Sequence, residues 1–74
     1  MITAIQVKMA RAALGLGVRE LAKFSGVTAN TVSRFENGND VLASTLNAMR
    51  KSLEKRGIEF LPENGVRLKP TKRK

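Results

Sequence analysis

Seventy-four residues allow one small core, since a chain of this length buries only about 60% of its unfolded surface. It has no cysteine and no histidine, which excludes disulfides, thiolate nucleophiles, Cys/His zinc sites and an imidazole general base. Fourteen Lys and Arg against six Asp and Glu leave a net charge of +8, which favours a polyanionic partner: nucleic acid first, an anionic membrane surface second.

No apolar run approaches the roughly 18 residues that cross a bilayer, and Met1-Ile2-Thr3 lacks the basic start of a signal peptide. The expectation is an intracellular protein of the cytoplasm, with no membrane partner. A hydrophobic content of 42% is enough for a folded domain rather than a disordered polybasic peptide.

The first helix is predicted to start at Thr3, whose hydroxyl can cap, with Gln6 three residues on as reciprocal partner. Val7, Ala10, Arg11 and Leu14 follow on one helical face, and Gly15 and Gly17 end the helix. Ile5 and Met9 make a second apolar stripe, which suits packing under a neighbouring element or against another subunit. A second, short helix fits Val18–Ser25, with Leu21, Ala22 and Phe24 facing inward. Gly26 supplies a sharp turn. Thr28 then caps a third helix running to Phe35 or Glu36, which buries Val32 and Phe35. Asn37-Gly38-Asn39-Asp40 is turn chemistry. A fourth helix fits Ala43–Arg56 with Leu46, Met49 and Leu53 inward; Asp40 and Ser44 could each cap it, and Gly57 stops it.

Beyond Gly57 the pattern changes period. Ile58 and Phe60 alternate with Glu59, Val66 and Leu68 alternate with Arg67, and Asn64-Gly65 signals a hairpin. Lys69–Lys74 reads as a basic, disordered tail that either solubilises or binds phosphate. The charge is uneven: residues 1–49 hold five bases and three acids, residues 50–74 nine bases and three acids. The chain therefore divides into a domain at 1–56, a hairpin at 57–68 and a tail at 69–74. The expected class is mainly α, a compact four-helix domain with a short C-terminal β-hairpin.

Two short helices around a Gly-centred turn, within a four-helix cluster of high positive charge, describe a helix-turn-helix module. The stretch Leu21-Ala22-Lys23-Phe24-Ser25-Gly26-Val27-Thr28-Ala29-Asn30-Thr31-Val32-Ser33-Arg34-Phe35-Glu36-Asn37-Gly38 resembles the XRE/Cro-type domain of phage repressors and small bacterial regulators. The Leu-Ala, Ser-Gly-Val-Thr, Thr-Val-Ser and Glu-Asn-Gly elements all fall in register, and the resemblance spans residues 3–56. Residues 57–68 are similar to short regulators of that family that end in a hairpin.

The resemblance implies a lambda-repressor-like fold in which Thr28–Glu36 is the recognition helix. It gives Ala29, Asn30, Ser33 and Arg34 as groove-facing residues that contact bases. Their chemistry suits the role: Arg pairs with guanine O6/N7, Asn with adenine N6/N7, and Ala touches a thymine methyl. Thr28, Thr31 and Asn37 match positions that bind phosphate. Arg11 and Glu36 match a buried ion pair between the first and third helices. The chain departs from the family at Gly17-Val18, where a capping Ser/Thr and a phosphate-bracing Gln are usual. That leaves the clamp absent or replaced by backbone N–H groups and Arg19.

The function expected from these residues is sequence-specific double-stranded DNA binding by a transcriptional regulator, most simply a repressor. It would act as a homodimer on a near-palindromic operator in the nucleoid. Ile58, Phe60, Val66 and Leu68 are the expected dimerisation residues, because a lone two-stranded hairpin must bury one face somewhere. One rival is an antitoxin, whose C-terminal segment holds a toxin partner and orders only in that complex. Another is a non-specific binder of nucleic acid or anionic surfaces, acting through residues 50–74. No carboxylate pair has spacing for metal binding or acid/base catalysis, so neither enzyme activity, metal nor cofactor is expected.

Overall fold

A computed structural model describes residues 2–70. Four helices are followed by one antiparallel hairpin: α1 (Ala4–Leu14), α2 (Val18–Ser25), α3 (Ala29–Glu36), α4 (Ala43–Lys55), β1 (Ile58–Leu61) and β2 (Gly65–Leu68). The protein is thus mainly helical, a compact four-helix domain with a C-terminal two-stranded sheet.

Local chemistry sets the helix ends. The Thr3 hydroxyl accepts from the Gln6 N–H, and Gln6 Oε1 accepts from the Thr3 N–H at 3.0 Å, so two free donors of α1 are satisfied reciprocally. Gly15 closes α1 in a left-handed conformation at φ +68°, which residues with a Cβ rarely adopt. α4 departs from expectation at its start: its N-cap is Leu42, which has no capping oxygen, and neither Asp40 nor Ser44 takes that place. The C-terminal cap of α4 is Arg56.

One core joins every element. Val7 and Ala10 from α1, Leu21 and Ala22 from α2, Val32 from α3, and Leu46, Met49 and Leu53 from α4 are all buried. Ile58 joins them at 1% exposure, with Phe60 and Val66 packed against the same cluster. Phe24 does not turn inward; Leu21 and Ala22 fill the inner face of this eight-residue helix. Phe24 sits at the rim, 45% exposed, and the Arg56 guanidinium lies 3.6 Å above its ring.

The hairpin register is Ile58↔Leu68, Glu59↔Arg67, Phe60↔Val66 and Leu61↔Gly65. Ile58, Phe60, Val66 and Leu68 therefore share one face, while Glu59 and Arg67 pair at 3.2 Å on the other. The turn is centred on Glu63-Asn64, at φ +59° and +64°, one residue before the Asn-Gly pair that signalled it. Two positive φ values fit a type I′ turn, whose twist matches that of the flanking strands.

One buried side chain ties the hairpin to the helices. Gln6 Nε2 donates to the carbonyls of Leu61 at 2.8 Å and Gly65 at 2.9 Å, one from each strand. At the tip, Thr3 Oγ1 donates to Asn64 Oδ1 at 2.7 Å. The hairpin therefore belongs to the same packed body as the helices. Lys69 and Pro70 follow β2 as exposed, non-regular chain, and the rest of the expected tail lies outside the described residues.

Candidate nucleic-acid interface

The turn between α2 and α3 is built locally. Gly26 adopts φ +74°, and the Val27 N–H donates back to the Ala22 carbonyl at 3.1 Å. Thr28 then starts α3, its hydroxyl accepting from the Thr31 N–H at 3.1 Å. α2 packs against both α3 and α4, which orients α3 on the domain surface.

α3 divides cleanly into two faces. Val32 and Glu36 are buried, and Phe35 and Ala29 pack against the core. Asn30, Arg34 and Asn37 are exposed at i, i+4 and i+7, with Ser33 half-buried among them. Three of the four expected base-contact residues, Asn30, Ser33 and Arg34, therefore share the outward stripe. Ala29 is turned toward the protein and offers a groove only part of its methyl.

The inward face is held by an ion pair. Arg11 Nε donates to Glu36 Oε2 at 2.8 Å, and Nη2 donates to Oε1 at 2.7 Å, a two-point contact between α1 and α3. Arg11 Nη1 also donates to the Leu16 carbonyl at 3.1 Å, so one guanidinium links α1, the α1–α2 loop and α3. The hydrogen bond that Arg11 donates to Glu36 holds the Arg11 pKa above its ordinary value, against the opposing effect of burial. A base whose pKa is raised in the folded state contributes stability that is lost only as pH rises through the folded value.

The phosphate candidates are distributed around this stripe. Asn37 caps the C-terminus of α3 and is exposed. The hydroxyls of Thr28 and Thr31 lie 2.8 Å apart, Thr28 exposed and Thr31 half-buried. Arg19 is exposed in the first turn of α2. Val18 packs against the core, and the Glu20 carboxylate accepts the Gly17 N–H, so α2 is capped by its own side chain. Sequence reasoning missed this role of Glu20, although an acid three residues after the cap is its usual signal. The Gln6 contacts were missed too, because they span 55 and 59 residues.

The four hairpin residues expected at a dimer interface are unequally placed. Ile58 lies in the core, Phe60 and Val66 are half-buried against it, and Leu68 alone is exposed, at 48%. Ile5 at 53% and Met9 add exposed apolar surface on α1, which packs against β2. Among the described residues no group of acidic side chains could hold a metal ion, and no helix is long and apolar enough to cross a membrane.

A comparison with curated proteins finds no significant match. A family model described as a helix-turn-helix domain matches residues 4–51, from the first residue of α1 into α4. The match covers the turn at Gly26, the outward stripe of α3 and the ion pair beneath it, and the chain belongs to the helix-turn-helix domain family.

Proposed function

We propose that this chain is an XRE/Cro-type transcriptional regulator that binds double-stranded DNA sequence-specifically, most simply as a repressor occluding polymerase. One observation carries the reading. α3 presents Asn30, Ser33, Arg34 and Asn37 outward, while the core and the Arg11–Glu36 pair fix its opposite face. A rigid helix whose exposed stripe combines amides, a hydroxyl and a guanidinium suits the major groove, where those groups match adenine and guanine edges. Arg19, Thr28, Thr31 and Asn37 would hold phosphates around it.

In this reading residues 1–56 bind DNA, and residues 57–68 support a homodimer in the cytoplasm, associated with the nucleoid. Leu68 on β2, with Ile5 and Met9 on α1, which packs against β2, would supply exposed apolar surface for that contact. The activity is binding rather than catalysis and needs no cofactor. An antitoxin whose hairpin orders only on a toxin is disfavoured, because Gln6 and Thr3 already tie the hairpin to α1 within one chain.

Selection from random duplex DNA tests the proposal. A dimer should enrich a near-palindrome with half-sites about one turn, or 34 Å, apart. Recovery of no common sequence, with tight binding to every duplex, favours a polyanion binder instead.

A further inference from the structure

The stretch of sequence that holds α3 is nearly free of charge in a chain of net charge +8. From Phe24 to Met49 the sequence holds one base, Arg34, and two acids, Glu36 and Asp40. Glu36 is buried on Arg11, so Arg34 and Asp40 are the two exposed charges of this whole stretch. They are brought together by the fold. Gly38 turns the chain at φ +95°, and the Asn39 N–H donates to the Arg34 carbonyl at 2.9 Å. That bond folds the loop that carries Asp40 back onto the end of α3. Arg34 and Asp40 line one cleft with Thr31, Val41, Leu42 and Thr45. Neither makes an ion pair among the described residues, so the guanidinium is free to reach outward.

We propose that Asp40 is a positioning residue for Arg34 and thereby a determinant of base specificity. A guanidinium carries five N–H donors in a rigid plane. One edge can donate to the Asp40 carboxylate while the other offers two parallel donors to guanine O6 and N7. The carboxylate restricts a long, flexible side chain to the orientation that reads a base. It also repels the neighbouring phosphates, to which an unrestrained arginine would otherwise turn. The inference rests on the DNA-binding reading above.

The test uses the full chain on its selected duplex, on a scrambled duplex, and on the selected duplex with 7-deazaguanine replacing the guanine that Arg34→Ala ceases to prefer. 7-Deazaguanine lacks the N7 acceptor and leaves the Watson–Crick face intact. The wild type should lose about 5-fold or more on the deaza duplex, within the range expected for a bidentate base contact. Asp40→Asn should reduce that penalty to about 2-fold or less while binding the scrambled duplex more tightly, and Asp40→Glu should restore the penalty. Asp40→Ser should behave as Asp40→Asn does, and melting should not change because residue 40 is exposed on a loop. If Asp40→Asn keeps the full penalty and binds every duplex more tightly, Asp40 only repels phosphate and the inference is overturned. Equal wild-type affinity for the selected and scrambled duplexes would overturn it by a different route, through failure of the DNA-reading function itself.

Discussion

The outward face of α3 and the C-terminal third of the chain are opposites in how they use charge. From Phe24 to Met49, the stretch that holds α3, one exposed arginine and one exposed aspartate stand among amides and hydroxyls. From Arg50 onward there are nine bases in 25 residues. Two of those bases are matched by carboxylates, Arg50 by Glu54 at 3.0 Å and Arg67 by Glu59 at 3.2 Å, and Arg56 lies on Phe24. The contrast separates two tasks that a small DNA-binding protein must perform. Diffuse positive charge attracts any polyanion and depends on salt, whereas discrimination needs few charges and a fixed geometry.

The largest expected effect breaks the rigid side of that comparison. Glu36→Ala leaves the Arg11 guanidinium, three-quarters or more buried, without its carboxylate, and should cost about 3 kcal/mol. In a domain with about 5–10 kcal/mol of stability in total, melting should fall sharply and DNA binding should go with it. Unchanged melting with selective loss of binding would move Glu36 from the scaffold to the interface.

Gln6→Leu comes next. It leaves the Leu61 and Gly65 carbonyls without their buried donor, at a cost of about 1–3 kcal/mol. Amide exchange should accelerate at β1 and β2 before it does in α3. Uniform acceleration over the whole chain would instead show that the hairpin and helices unfold together. The smallest effect is a gain. Glu63 occupies a left-handed conformation at φ +59°, which asparagine accepts more readily, so Glu63→Asn should stabilise by about 0.5 kcal/mol in chemical denaturation.

The parts of this fold that could be read from the sequence are those fixed within a turn or two of chain. Thr3 with Gln6, Gly15, Gly26 and Thr28 each act on backbone groups three to five residues away, and the structure places a cap or turn at each. The core stripe Leu46, Met49 and Leu53 follows from helical period alone. Phe24 and Gln6 are less legible because distant elements place them, and Leu42 because it carries no local signal. Phe24 is at the rim because α2 meets the end of α4, and Gln6 spends its amide on a hairpin 55 residues away. The start of α4 has no capping side chain to announce it. At the candidate site, the outward stripe of Asn30 and Arg34 follows from the period of α3. The cleft that Arg34 shares with Asp40 depends on how Gly38 folds the following loop back.

The central claim is that Arg34 reads a base on a helix that the rest of the chain holds still. Titrating wild type and Arg34→Ala against the selected and scrambled duplexes at two salt concentrations tests it most directly. The substitution should cost about 1–3 kcal/mol per half-site on the selected duplex and under about 0.5 kcal/mol on the scrambled one, with melting unchanged. Equal weakening on both duplexes, with a shallower salt dependence, would make Arg34 a phosphate contact and contradict the account.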